Sequence, residues 1–124
     1  MAQMFGLDKP GKSHEVPCLT MPQIIRRSGL THIDFWSLDV EGSELMVLST
    51  MDWASIPVHY VLVETWEGRD EKYALICNIF AKQGGWVNNK TVSTSYCIPH
   101  RDCASNTLFT NTRYEAQVAA LLRG

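Results

Sequence analysis

Two runs of apolar, β-forming residues fix what this chain can build: 33-IDFWSLD-39 and 58-VHYVLVET-65. Strands with one wet face alternate apolar and polar residues; these runs are too densely apolar for that, so both read as strands buried by helices. Between them, residues 43–51 carry Leu45, Val47, Leu48 and Met51 on helical faces, with Ser43 placed to cap the helix. Strand, helix and strand of these lengths predict a parallel pair joined by a right-handed crossover. Asp70 is placed to cap a further helix over 71–83, with Tyr73, Ile76, Cys77 and Phe80 along one stripe and Gly84-Gly85 at its end. Beyond Gly85 the texture changes. Thr/Val/Tyr-rich runs at 86–89, 91–98 and 106–110 read as antiparallel strands, and 114–122 as a short terminal helix. The expectation is an α/β fold whose parallel strands and helical crossovers end in an antiparallel strand pair.

The 124 residues suit one compact domain, and neither their apolar share nor their charge is that of a disordered or fibrous chain. Residues 1–15 show little periodicity and read as a loose lead-in, leaving 16–124 as the folded part. At 20-TMPQIIRRSG-29, Thr20 and Gln23 have the spacing of a capping box, Pro22 sits in the first turn and Gly29 can close a short helix. A formal charge of −2 without a Lys/Arg block gives no nucleic-acid footprint. No apolar run approaches the ~20 residues that cross a bilayer, so no membrane segment is expected. Four cysteines without a CxxC pair, and an N-terminus without a secretory pattern, read as reduced thiols. The cytoplasm is the default localisation.

The candidate chemistry lies at the strand ends. In open α/β sheets, ligands bind beyond the carboxyl ends of parallel strands, and here Asp39 and Glu64 end two successive strands. If 39–41 stays extended, Asp39 and Glu41 leave on one side, and Gly42 supplies the freedom to turn into the next helix. A structural reading stands beside this one. Asp39 can satisfy nearby backbone N–H groups, and Glu41 and Glu44 can favour the helix N-terminus.

The segment 33-IDFWSLDVEGSELMVL-48 followed by 60-YVLVE-64 resembles the FkbM-type methyltransferase family, whose signature is an apolar strand ending in D-[VI]-E-G-x-E, an apolar helix, and a strand ending in E. The flavour F-W-S-L-D-V-E-G-S-E-L is similar to its Star-like eukaryotic members. The flanking stretches 16-VPCLTMPQII-25, 84-GGW-86 and 106-NTLFTN-111 extend the likeness over roughly residues 14 to 112. The resemblance implies a Rossmann-like class I methyltransferase fold, S-adenosylmethionine as cofactor, and methyl transfer to a hydroxyl oxygen of a small molecule or glycan. Carried over by position, Asp39, Glu41 and Glu64 become the catalytic candidates, with Asp39 first as orienting group or base. Asp39 and Val40 are expected beside the cofactor, His100 and Arg101 on the acceptor side, and Glu44 in support of the helix start.

The chain also departs from the family pattern. It has no Gly-rich turn after a first strand: Gly6 and Gly11 follow no apolar run. It thus resembles the C-terminal half of the domain, a partial fold. Weak binding of S-adenosylmethionine by the chain alone follows, as does an apolar strand at 33–39 left as an unpaired edge that favours self-association or another partner. A non-catalytic interaction module is the alternative. In 97-CIPHRDC-103, Cys97, His100, Asp102 and Cys103 lack a second ligand cluster, so a polar hairpin turn is favoured over zinc and no metal site is expected. Trp36, Trp53, Trp66 and Trp86 are dispersed and read as packing residues, and His59 as a core or surface histidine.

Overall fold

The computed structural model describes residues 11–66, 70–97 and 103–124. The elements run α1 (Met21–Ser28), β1 (Ile33–Leu38), α2 (Glu44–Ser49), β2 (Val58–Trp66), α3 (Asp70–Gln83), β3 (Trp86–Cys97), β4 (Cys103–Asn111) and α4 (Tyr114–Arg123). They form an α/β domain around one four-stranded mixed sheet of order β1-β2-β4-β3. β1 and β2 are parallel, as the strand–helix–strand pattern predicts, while β4 runs antiparallel to both β2 and β3. Among the described residues, no helix is long and apolar enough to cross a membrane.

The local signals explain α1 in full. The Thr20 hydroxyl accepts from the Gln23 N–H while the Gln23 side chain accepts from the Thr20 N–H, the reciprocal bonds of a capping box. Gly29 closes the helix at φ 77°, a left-handed conformation that costs a Cβ-free residue little. At α2 the expected cap differs. Ser43 stands at the N-cap position, but its side chain makes no capping hydrogen bond, because the Glu44 carboxylate organises the preceding turn instead.

One correction concerns the C-terminal strands. The runs 86–89 and 91–98 form one strand, β3, bent where its pairing with β4 slips between Asn88 and Thr91. Lys90 has φ 62° at that slip, the irregular backbone of a bulge, which adds a residue without ending the strand. Cys97 and Cys103 are opposed at the end of the β3–β4 pairing. The intervening 98–102, with Pro99, His100, Arg101 and Asp102, lies outside the described residues.

The core sits on one face of the sheet. Val61, Val63, Leu38 and Phe109 are buried there with Leu48 of α2 and Ile76 and Phe80 of α3. Phe80 stacks on Phe109 at 4.0 Å, and Trp53 and Trp86 meet Phe80 edge-on or tilted. Trp36 also reaches Trp53, so these three tryptophans pack, as their dispersion suggests. The register places Tyr60 beside Phe35 and Leu62 beside Ser37 on the opposite face, where Tyr60 and Leu62 are only half-buried and Phe35 is 56% exposed. On the core face of β2 and β4, Thr65 shares hydrogen bonds with Ser105 and Thr107, all three buried. This hydroxyl cluster pins the β2–β4 register through polar cross-strand contacts.

Asn111 and Tyr114 fasten the C-terminal helix. Buried Asn111 donates to the Val58 carbonyl at 2.9 Å and to Gln117 at 2.8 Å. Tyr114 donates a short hydrogen bond to Asp34 and stacks on His59 at 4.4 Å. Burial first, then the bond to Asp34, pushes the Tyr114 phenol up to about 12. His59 is thus a packed histidine.

Candidate active site

The turn from β1 into α2 is a sharp one. Glu41 has φ 50° and Gly42 φ 103°, so the chain does not stay extended through 39–41. Asp39 and Glu41 nevertheless come together, brought there by the left-handed turn and not by the strand alternation the sequence suggests. Glu64, at the end of the neighbouring parallel strand, completes the group. One carboxylate oxygen from each of Asp39, Glu41 and Glu64 lies within 4.8 Å of the other two. Strand ends and a βα turn thus deliver three carboxylates to one rim, the position where α/β sheets bind ligands.

Glu64 is only 9% exposed, whereas Asp39 and Glu41 face solvent. A hydrogen bond with Asp39, then burial, then the charges of Asp39, Glu41 and Glu44 push Glu64 up to about 7. The hydrogen bond between Asp39 and Glu64 thus holds a proton that Glu64 keeps to near neutrality, since close carboxylates do not both ionise cheaply. Such a pair can accept a proton from a bound hydroxyl, orient that hydroxyl, or face a cationic group. The spacing is also one a cation can enter, although exposed acids commonly cluster without one.

Glu44 belongs to the same turn but does different work. It is 2% exposed and accepts hydrogen bonds from the Val40 N–H at 2.9 Å and the Gly42 N–H at 3.1 Å. Lys72, from the first turn of α3, reaches its carboxylate at 3.1 Å and the Gly42 carbonyl at 2.8 Å. Burial by itself would raise the Glu44 carboxyl; the bonds from its own backbone, Val40, Lys72 and Gly42 outweigh it and hold the group below the ordinary 4.5. Glu44 supports the helix start by gathering the turn around its side chain.

Lys72 is the site residue that sequence reasoning missed. It lies 28 residues from Glu44, and a lone lysine in an amphipathic helix carries no local signal of such a bond. Of the remaining candidates, Val40 stands beside the acids with its side chain 39% exposed. His100 and Arg101 fall outside the described residues.

The mixed α/β sheet gathers three acids beyond its parallel strand ends. Residues 2–85 match the family described as the Methyltransferase FkbM domain, and the chain belongs to that family. The match spans α1 through α3 and ends at Gly85, ahead of β3 and β4. No curated protein and no solved structure gives a match to the chain.

Proposed function

We propose that this chain carries the methyl-transfer rim of an S-adenosylmethionine-dependent O-methyltransferase. The observation that carries the reading is the meeting of Asp39, Glu41 and Glu64 within 4.8 Å at the strand ends, in a chain of the FkbM family. The cofactor, when bound, supplies an electrophilic methyl group on a sulfonium centre. A rim of carboxylates suits that positive charge, with Asp39 and Val40 as the contacts this chain would contribute. Those described residues are one part of a cofactor site: no Gly-rich strand–turn–helix stands among them.

Asp39 orients the acceptor hydroxyl for in-line attack, which is largely a matter of positioning. As the new O–CH3 bond forms and the methyl–sulfur bond breaks, the hydroxyl proton passes to the Asp39–Glu64 pair. Glu64, raised to about 7, has a proton affinity close to the optimum for a general base at neutral pH. Glu41 is the second candidate for contact with the acceptor, and His100 and Arg101 are proposed on the acceptor side. The acceptor is a hydroxyl compound, a small molecule or a glycan.

Incubation with isotopically labelled S-adenosylmethionine and a panel of hydroxyl compounds tests the reading, in this chain and in a form that carries the whole domain. Transfer that Asp39→Asn abolishes supports it; transfer untouched by Asp39→Asn removes Asp39 from the mechanism. Calorimetric titration of the chain alone is expected to give weak or no cofactor binding, and micromolar affinity would overturn the proposed incompleteness.

One observation favours a second reading, a non-catalytic interaction module. β1 stands at the edge of the sheet and its Phe35 is exposed, a strand open to pairing with another copy or another chain. Sedimentation that finds a cooperatively folded monomer at high concentration counts against self-association through β1.

A further inference from the structure

Beside the acids, α1, β1 and α2 enclose a groove of about 520 Å³, inside the ~300–1,000 Å³ range of small-molecule sites. Its apolar wall is built by Met21, Ile24, Trp36, Met46 and Val47, and among the described residues Asp39 is the one charged side chain on it. Met46 is 62% and Ile24 44% exposed. Single exposed apolar side chains are ordinary, but here side chains from three elements converge on one concavity. The polar groups on the wall are largely engaged already. The Thr20 hydroxyl takes the Gln23 N–H, and the Thr50 hydroxyl donates to the Val47 carbonyl.

We propose that this groove seats the aryl or hydrocarbon body of an amphipathic alcohol or phenol, whose single hydroxyl is presented to Asp39. Naming that occupant the methyl acceptor rests on the methyltransferase reading; its binding does not. The chemistry separates it from a glycan. A sugar ring brings several hydroxyls that lose water on entry, and a wall on which Asp39 is the one charged group described leaves most of them unpaired. An apolar body loses nothing of that kind and removes the Trp36, Met46 and Ile24 surface from water. Asp39 belongs both to this wall and to the shared-proton cluster, so a body lying in the groove places its hydroxyl where the proton is taken.

The test uses the full chain without methyl donor, titrated calorimetrically with 2-naphthol, naphthalene and methyl glucoside. We expect 2-naphthol to bind at least tenfold tighter than methyl glucoside. Met46→Asp is expected to weaken it tenfold or more with the melting temperature retained, and Ile24→Ser provides a second exposed site with the same readout should Met46→Asp unfold. Asp39→Asn reduces the preference for 2-naphthol over naphthalene. Equal binding of the glucoside, or 2-naphthol binding indifferent to both groove variants, overturns the proposal. So does a dimer that Met46→Asp breaks in a chain that does not bind 2-naphthol, because a second copy then fills the groove. If 2-naphthol binds as expected and a whole-domain form methylates no hydroxyl compound of any class, the methyltransferase reading fails and the groove stands. Methyl transfer to glycans alone overturns the groove's occupant and leaves the methyltransferase reading intact.

Discussion

Glu44 and Asp39 are five residues apart on one turn, yet their surroundings are opposite. Glu44 is buried, surrounded by N–H donors and paired with Lys72. Asp39 has two further carboxylates within 4.8 Å and is exposed. The first acid is held charged by partners that neutralise it; the second stands in a group whose hydrogen bond, burial and charge raise the proton affinity of Glu64. A carboxylate is structural or chemical according to what surrounds it, and here one short segment contains both kinds. The signature D-V-E-G-S-E is therefore two devices overlaid: a rim of acids and the internal clasp that holds it in place.

That contrast can be broken experimentally, beginning with the largest effect. In a catalytically active form carrying the whole domain, Asp39→Asn should lower turnover by about a hundredfold or more, the range expected for loss of a positioned base, while thermal stability changes little. A stability loss without a rate loss would place Asp39 with Glu44. Next, Glu44→Ala should destabilise the fold by ~3 kcal/mol in denaturant titration, since it strands buried N–H groups and Lys72. A change under 0.5 kcal/mol would show that the turn does not depend on the clasp.

Glu64 should respond to pH. Its folded pKa lies above its ordinary 4.5, so its contribution to stability is fully present below about 4.5 and is lost as pH rises through about 7. Glu64→Gln should therefore match wild type near pH 4 and exceed it by ~1–2 kcal/mol at pH 8. Parallel melting curves across that window check the sign, and a variant less stable at pH 8 would contradict the shared proton. The smallest effect is expected at Glu41, whose φ of 50° is costly for any residue with a Cβ. Glu41→Gly should stabilise the chain by ~0.5 kcal/mol, relief of that conformation being partly offset by the entropy glycine adds to the unfolded state. A loss of stability would mean that the Glu41 side chain holds the turn.

Much of this was legible in advance, for identifiable reasons. The Thr20/Gln23 box, the Gly29 stop and the parallel pair around α2 all rest on local patterns, and each is realised. The carboxylates Asp39 and Glu64 were visible because strand ends can be located from apolar runs. What escaped was non-local or conformational. Nothing near Lys72 marks it as a partner of Glu44, and the left-handed Glu41 is set by the closure of the turn. The continuity of β3 through Lys90 was hidden because a bulge and a loop share the same polar residues. The insertion of β4 between β2 and β3 depends on pairing between distant strands, where the Thr65–Ser105–Thr107 contacts take part.

Lys72 has a consequence for how the rim moves. It stands a few residues beyond β2, whose end carries Glu64, and it grips the turn that carries Asp39 and Glu41. One length of chain thus provides both an anvil and the strut that sets the opposing jaw against it. A shift of α3 would carry the jaw along and change its gap to Glu64, which stays with the sheet. Neutralising Lys72 by acetylation would unhitch the two, leaving the turn free to drift while Glu64 stayed with the sheet.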